Sequence, residues 1–404
     1  MALRRPTLLL LFLLTCAFGC TDGNDSLADS GIAETPDAGA PDAGAPDAGT
    51  LDGGAPDAGV VDGGPLNPAW FTGHSLNEWF VIPGTQGAGG SAVNAYSGMA
   101  LREEVSELWI AAAGGHSDSA DNRVVSLDLR LDAPTWVIRK AASTQIANDV
   151  THYPDGTPGS RHLYQTIHWV ASVNRVLLVG NRGGYPNAHH NPQVDGFNPD
   201  TNSWDPAGTW ASQSAAFSGV VRDGNGHIWN NNFQVFAPET NTWSEPLTSH
   251  PIPMRFPVAY DSRRNQLFSL MWADGQGYGN PGFNSARIPV GGNTQYKVTL
   301  APGPALTRLQ SLAPVYAAMV YDPGNDRFLF YDGRATPGEV FVVTPGATDD
   351  APYSVSTLTL GPGSAAVPAT VGAGINSRFR YVPALRGIVV MPDARQPLYF
   401  LRLE

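Results

Sequence analysis

The stretch Val194-Asp-Gly-Phe-Asn-Pro-Asp-Thr-Asn-Ser-Trp204 carries the strongest fold signal in this chain of 404 residues. Its apolar residues predict a β-strand, and Pro-Asp-Thr-Asn then supplies a hairpin turn, because proline fixes φ and asparagine tolerates left-handed backbone. The pattern returns as Phe233-Gln-Val-Phe-Ala-Pro-Glu-Thr-Asn-Thr-Trp243. A strand, a polar turn and a closing tryptophan therefore form a repeated unit.

The same unit can be followed in both directions from these two copies. Its strands alternate or are wholly apolar, as expected for stacked sheets, and no segment has helical periodicity beyond two turns. Residues 66–404 are too many for most single cores, unless the fold is a repeat architecture. We distinguish six units, which cover residues 96–136, 164–204, 215–243, a unit from about 258, a unit from about 316, and 378–403.

Gly114-Gly115 after an apolar strand, the turn units ending at Trp204 and Trp243, and a second double glycine at Gly183-Gly184 resemble kelch repeats. Kelch repeats form the propeller type also found in galactose oxidase, and the resemblance covers about residues 90–404. The resemblance implies an all-β propeller, and the six units predict six blades, with seven as the alternative count. Because propellers usually close by pairing the first strand with the last blade, we expect residues 77–83 to lie beside residues 398–403.

Residues 1–19 have the order of segments that is typical of a secretory signal peptide. Arg4 and Arg5 precede an apolar run at residues 8–14, which is too short to span a membrane. Ala17-Phe-Gly-Cys20 resembles the lipobox of bacterial lipoproteins, which implies that Cys20 is acylated and begins the mature chain. Thr21 in place of aspartate resembles lipoproteins sent to the outer membrane. We expect an exported protein, lipid-anchored there on the periplasmic or the surface side, with ordinary cleavage as the alternative.

Residues 20–65 consist largely of Asp, Ala, Gly and Pro, with Pro-Asp-Ala-Gly repeated four times. Such a segment cannot bury enough apolar surface to offset its ordering entropy, so we predict a disordered linker. It holds ten acidic residues and neither Lys nor Arg, so most of the net charge of −12 lies there. The propeller is only mildly acidic and offers no basic field for phosphates, which argues against nucleic acid as a partner.

All nine histidines lie between His74 and His250, and this asymmetry is the one functional signal above background. His116 follows the first double glycine, and the corresponding loop of the next unit holds a cluster of polar and aromatic residues. Such loops converge at the axial face, where kelch proteins commonly bind ligands. A binding module would therefore use these residues for a saccharide or a protein: His116, Arg182, Tyr185, His189 and His190.

Two other interpretations of the polar cluster remain open. In the structural interpretation, these residues form hydrogen bonds with turns and with neighbouring blades. The catalytic one is β-elimination of a uronic-acid polysaccharide, in which His or Tyr moves the proton and Arg neutralises the carboxylate. A lyase would use His116, Arg161, His162 and Tyr164.

Metal and cofactor chemistry finds no support in the sequence. Cys16 lies in the signal peptide, so Cys20 is the one cysteine left after cleavage, and the copper-radical site of galactose oxidase requires a cysteine joined to a tyrosine. A zinc site on thiolates fails for the same reason. His189 and His190 are adjacent, so on a strand their side chains point to opposite faces. We therefore expect no metal and no cofactor.

Overall fold

A computed structural model describes most of the chain from residue 67 onward. The predicted signal peptide, Cys20 and the linker lie outside the described residues, and so does His116. The described ranges are 67–87, 97–115, 119–180, 182–183, 185–187, 189–212, 219–230, 233–245, 257–273, 282–312, 316–334, 336–370 and 374–404. No helix in these ranges is long and apolar enough to span a membrane.

Short strands, one α-helix and three single-turn 3-10 helices (Glu103–Val105, Ala171–Val173 and Pro383–Leu385) form the regular structure of the described residues. The strands and the α-helix are given next. In chain order they are β1 Trp79–Ile82, β2 Ala100–Arg102, β3 Glu107–Ala111, β4 Val124–Asp128, β5 Val137–Lys140, β6 Ile167–Val170, β7 Arg175–Val179, β8 Arg182–Gly183, β9 His189–His190, β10 Val194–Asn198, β11 Ser203–Trp204, β12 Gly219–Arg222, β13 Ile228–Asn230, β14 Val235–Ala237, β15 Thr242–Trp243, β16 Val258–Asp261, β17 Gln266–Ala273, β18 Gly282–Pro289, β19 Tyr296–Lys297, α1 Pro304–Ser311, β20 Ala318–Asp322, β21 Arg327–Tyr331, β22 Phe341–Thr344, β23 Ser354–Thr357, β24 Phe379–Val382, β25 Gly387–Val390 and β26 Leu398–Arg402.

Six four-stranded antiparallel sheets form the blades of a β-propeller. Blade 1 is β2–β5, blade 2 is β6, β7, β10 and β11, and blades 3, 4 and 5 are β12–β15, β16–β19 and β20–β23. Blade 6 has the order β24, β25, β26, β1. These sheets match the six predicted units one for one, so the count of six is confirmed and seven is excluded.

The ring closes between the two ends of the described chain, as predicted. β1 pairs antiparallel with β26, with Trp79 opposite Leu401 and Ile82 opposite Leu398. The Trp79 side chain is 1% exposed, and its indole N–H donates to the carbonyl of Gly338 in blade 5 at 2.8 Å. Closure removes the unpaired edge that blade 6 would otherwise present.

Aromatic side chains fill the wedges between neighbouring blades. Three ring pairs bridge successive sheets: Trp109 with Phe197 at 5.8 Å, Phe268 with Phe328 at 4.6 Å, and Tyr331 with Phe379 at 5.1 Å between ring centroids. Burial of such large apolar surfaces is the main force holding one blade against the next.

Five of the six inner hairpins share one turn geometry. A residue in the left-handed region ends each turn just before the second strand, and its φ lies between 46° and 51°: Ser106, Asn174, Asn265, Asp326 and Arg386. The predicted turns before Trp204 and Trp243 behave likewise, with left-handed Asn202 and Asn241. Asn and Asp at three of the five inner turns fit their tolerance of this conformation.

Candidate functional site

The innermost strands β2, β6, β12, β16, β20 and β24 stand side by side around the propeller axis. We call the end where they begin the entry face and the opposite end the exit face. Between the two faces lies an axial cavity of about 330 Å³. Gln165, Asn376 and Ser377 line its entry end, and Ser262 and Pro383 line its exit end. This volume lies at the lower end of the roughly 300–1,000 Å³ typical of small-molecule sites.

Two successive equivalent positions of every blade line this cavity. In each blade the first of them comes two residues before the pair that closes the inner hairpin, for example Val382 with Gly387 or Val170 with Arg175. Four of the six side chains at this first position are small or apolar, and two are polar. Together they form the axial ring: Ala100, His168, Val220, Ala259, Val320 and Arg380.

Arg380 is the cation of the axial ring. Its Nε donates to the carbonyl of Met99 at 2.7 Å, and Nη2 lies 3.4 Å from the carbonyl of Ile167. Among the described residues no carboxylate forms an ion pair with this guanidinium. Burial lowers the pKa of Arg380 to about 10, although Glu103 opposes the shift. The group stays charged at neutral pH, with two backbone carbonyls in place of a counter-ion.

An ion pair lies in the exit half of the cavity. Nη2 of Arg222 donates to Oε1 of Glu103 at 2.5 Å, and Nη1 donates to the carbonyl of Trp169 at 2.7 Å. Burial raises the pKa of Glu103, and the charge of Arg222 works against that shift. Arg222, Arg380 and Glu103 therefore bring two positive charges and one negative charge to the cavity wall.

Aromatic rings surround this ion pair. Trp169, Tyr260, Tyr321 and Tyr381 line the cavity. Trp169 is fixed by its indole N–H, which donates to Glu104 at 2.9 Å. The hydroxyl of Tyr321 donates to Asp326 at 2.6 Å and that of Tyr260 to Asn265 at 2.9 Å. The cavity wall thus combines aromatic rings with charged groups. Small-molecule sites commonly have such a wall, in which polar groups fix the orientation of the ligand.

Two tyrosines meet beside the entry end of the cavity. Tyr164 precedes the inner strand of blade 2 and Tyr316 that of blade 5, and their rings stack with centroids 5.8 Å apart. Ser377, which lines the cavity, donates its hydroxyl to the carbonyl of Tyr164 at 2.8 Å. Blades 2 and 5 are opposite each other in a six-bladed ring, so this stack spans the axis.

The structure places part of the binding set predicted from the sequence. Tyr185 is half-buried, and its carbonyl accepts a hydrogen bond from the backbone N–H of Asp149 at 2.9 Å. The backbones of Arg182 and His190 pair in the small hairpin β8–β9, where Gly183 faces His189. The side chains of Arg182, His189 and His190 lie outside what the structure describes, as does the whole of His116.

The described members of the predicted lyase set are all buried. Arg161 is 0% exposed, and its Nη2 donates to Oδ2 of Asp195 at 2.7 Å. His162 is 3% exposed and Tyr164 is 7% exposed. Arg161 in this position holds a protein carboxylate and is out of reach of a polysaccharide. Its contact with Asp195 is the kind of contact that the structural interpretation predicts.

Asp195 joins Arg161 to a histidine that the sequence interpretation passed over. Nε2 of His152 lies 2.7 Å from Oδ1 of Asp195. Burial favours the neutral acid, but Arg161 and His152 outweigh it, so the pKa of Asp195 lies below its usual value. The three residues come from the segment between blades 1 and 2 and from β10, and they fasten that segment to blade 2.

Sequence interpretation missed Glu103, Arg222 and Arg380 as neighbours. They come from three different blades, and Arg222 is 119 residues from its partner Glu103. An alignment of the six units on their inner hairpins would have found the axial ring, because it places Arg380 and His168 at the position that Ala100 and Ala259 hold.

Comparisons with known proteins add similarity at the level of the fold. No protein-family model and no curated protein matches the chain. A GH74 xyloglucanase from Xanthomonas campestris matches at 14% identity and a TM-score of 0.37, over 69% of this chain and 49% of that one. The gluconolactonase XC5397 from Xanthomonas campestris matches at 11% identity and a TM-score of 0.41, over 84% of this chain and 99% of that one. KlAtg21 in complex with the coiled coil of AgAtg16 matches at 8% identity and a TM-score of 0.42, over 74% of this chain and 78% of that one. The chain thus spans about half the length of the xyloglucanase, and similarities this low carry no functional argument.

Proposed function

We propose that this propeller is a binding module that takes a saccharide in its axial cavity. The observation that carries the proposal is the composition of the cavity wall, where aromatic rings stand beside charged groups in a space of about 330 Å³. Sugars present apolar ring faces and polar edges, and such a wall offers partners for both. A recess of this size fits a sugar unit better than a folded protein surface, so we prefer a glycan to a protein ligand.

The lyase alternative has weaker support. In the predicted lyase set Arg161 would neutralise the substrate carboxylate, but Arg161 is fully buried against Asp195. His162 and Tyr164 are nearly as buried. The binding set predicted from the sequence, which is His116, Arg182, Tyr185, His189 and His190, remains a prediction, because three of its side chains and all of His116 lie outside the described residues.

We also propose that the module is exported and held at a membrane through lipidated Cys20, with residues 20–65 as a disordered acidic tether. The lipobox-like Ala17-Phe-Gly-Cys20 and the composition of the tether support this address. The kelch-like double glycines and turn units support assignment of the blades to the kelch type. A saccharide-binding propeller on such a tether would reach glycans of the cell envelope.

Calorimetric titration of the full-length protein, purified in detergent, with a panel of neutral and acidic oligosaccharides tests the function. We expect saturable binding of at least one glycan and no new ultraviolet absorbance from unsaturated chain ends. Growth of that absorbance would establish the lyase instead. If no glycan binds, saccharide recognition is wrong.

A pair of variants locates the binding in the cavity. Ala259→Phe places a ring in the axial ring, where Ala259 is 5% exposed, and we expect it to abolish binding. Val81→Phe adds the same bulk on β1, where Val81 is 40% exposed, and we expect unchanged affinity. Circular dichroism of both variants checks that the fold is retained. If Ala259→Phe bound the glycan as tightly as the wild type, the binding site would lie outside the axial cavity.

A further inference from the structure

The charges of the axial cavity do not balance. Arg222 has Glu103 as its partner, but among the described residues Arg380 forms no ion pair. The remaining axial ring positions bring no carboxylate, since Ala100, Val220, Ala259 and Val320 are apolar and His168 is the other polar member. One positive charge in excess therefore faces this narrow space.

Such an arrangement is costly for folding alone. A guanidinium withdrawn from bulk water loses hydration, and two carbonyl contacts replace only part of it. An uncharged side chain of similar length would line the cavity without that cost. The same withdrawal from bulk water strengthens the electrostatic attraction toward an anion that enters the cavity.

We infer that Arg380 is the recognition residue for the carboxylate of an acidic sugar bound in the axial cavity. The inference rests on the proposed saccharide-binding function and names its ligand class. The guanidinium offers a planar fork of N–H donors that matches a carboxylate. Glu103 neutralises Arg222, so the excess of one positive charge suits a carboxylate monoanion better than a phosphate dianion. Tyr260 and Tyr381, the partly exposed rings of the cavity wall, would hold the sugar faces.

Glucuronic acid and its methyl ester are the matched probes, since the ester keeps the shape and removes the charge. With the full-length protein in detergent we expect the acid to bind at least about tenfold more tightly than the ester. We expect added salt to weaken binding of the acid, because the excess charge in the cavity is partly screened.

Arg380→Met should remove the preference for the acid over its ester. Arg380→Lys keeps the charge but lacks the fork, and it should retain a reduced preference. Arg130→Met changes an arginine that is 42% exposed and bound to Asp128, and it should leave both affinities unchanged.

The outcomes separate this inference from the function on which it rests. Equal affinity for acid and ester, unaffected by Arg380→Met, overturns carboxylate recognition and leaves saccharide binding in place. If neither probe binds while a neutral glycan of the panel does, the conclusion is the same. If no glycan of the panel binds, both proposals are overturned.

Thermal unfolding of Arg380→Met completes the test. An unchanged or higher Tm is expected, because the variant removes a desolvated charge. A marked fall in Tm with an unchanged acid preference would assign Arg380 to the fold and overturn the inference.

Discussion

The rings of Tyr164 and Tyr316 stack across the propeller axis, with an interplanar angle of 21°, although they belong to opposite blades. Both residues have left-handed backbone, with φ of 49° and 62°. This conformation is costly for a bulky side chain. Hydrogen bonds from blade 6 hold both backbones: Ser377 donates to the Tyr164 carbonyl, and Ile375 and Asn376 donate to that of Tyr316. Three blades therefore meet at this point.

Replacement of these tyrosines should show direct coupling between blades 2 and 5. In a double-mutant cycle of Tyr164→Ala and Tyr316→Ala, we expect a coupling free energy of about 0.5–1.5 kcal/mol in chemical unfolding. The control cycle joins Tyr164→Ala with Tyr296→Ala, an exposed ring on β19 of blade 4, and it should be additive. Additive behaviour of the Tyr164–Tyr316 pair would mean that the stack contributes nothing to blade association.

The blades could be predicted from the sequence because their signals are local. A strand and its turn occupy about ten residues, so the units ending at Trp204 and Trp243 announce both their hairpins and their left-handed asparagines. Closure by residues 77–83 followed from the physical need of blade 6 for a fourth strand. Each of these predictions depends on residues that lie close together in the chain or on a general rule.

The axial site could not be predicted in the same way. Arg380 stands between Phe379 and Tyr381, an alternation that on a single strand predicts a solvent-facing arginine. Its position in the cavity depends on the arrangement of six blades around an axis, which no local pattern records. The histidine clustering pointed to loops at an axial face of the propeller. The structure places His152 in a hydrogen bond with Asp195 and His168 in the axial ring.

Asp195 should make the stability of the protein depend on acid pH. Its pKa is lowered by folding, so its contribution is present above the ordinary value of 3.8 and is lost as pH falls toward the lower folded value. Asp195→Asn removes this charge and leaves Arg161 buried without its partner. We expect a loss of about 3–5 kcal/mol at pH 7, and a flatter decline in stability below about pH 4.

Urea unfolding of wild type and variants across this pH range checks the prediction. Asp349→Asn is the control, because Asp349 pairs with Arg287 but is 67% exposed, and its loss should cost less than about 1 kcal/mol. Parallel pH profiles for wild type and Asp195→Asn would show that the buried pair is not the source of the acid sensitivity.

Cys20→Ser should release the protein from the membrane fraction. The serine cannot carry the thioether-linked lipid that the lipobox-like sequence predicts for Cys20. Metabolic labelling with a radioactive fatty acid should mark the wild-type chain and leave the variant unlabelled. A matched control is Thr21→Ser, which alters the neighbouring residue and should retain the label. An unlabelled wild-type chain would contradict the prediction.

Closure of the ring should make β1 essential to the whole domain, because Trp79 is 1% exposed and bridges blade 6 to blade 5 through Gly338. We expect Trp79→Ala to cost about 3–5 kcal/mol in chemical unfolding, as for other buried tryptophans. Val81→Ala on the same strand should change stability by less than about 0.5 kcal/mol, since Val81 is 40% exposed. Deletion of residues 66–84 removes the strand and should promote aggregation through the open edge of β26, whereas deletion of residues 21–64 should be nearly neutral. A stable monomer without residues 66–84 would show that the propeller does not need its closing strand.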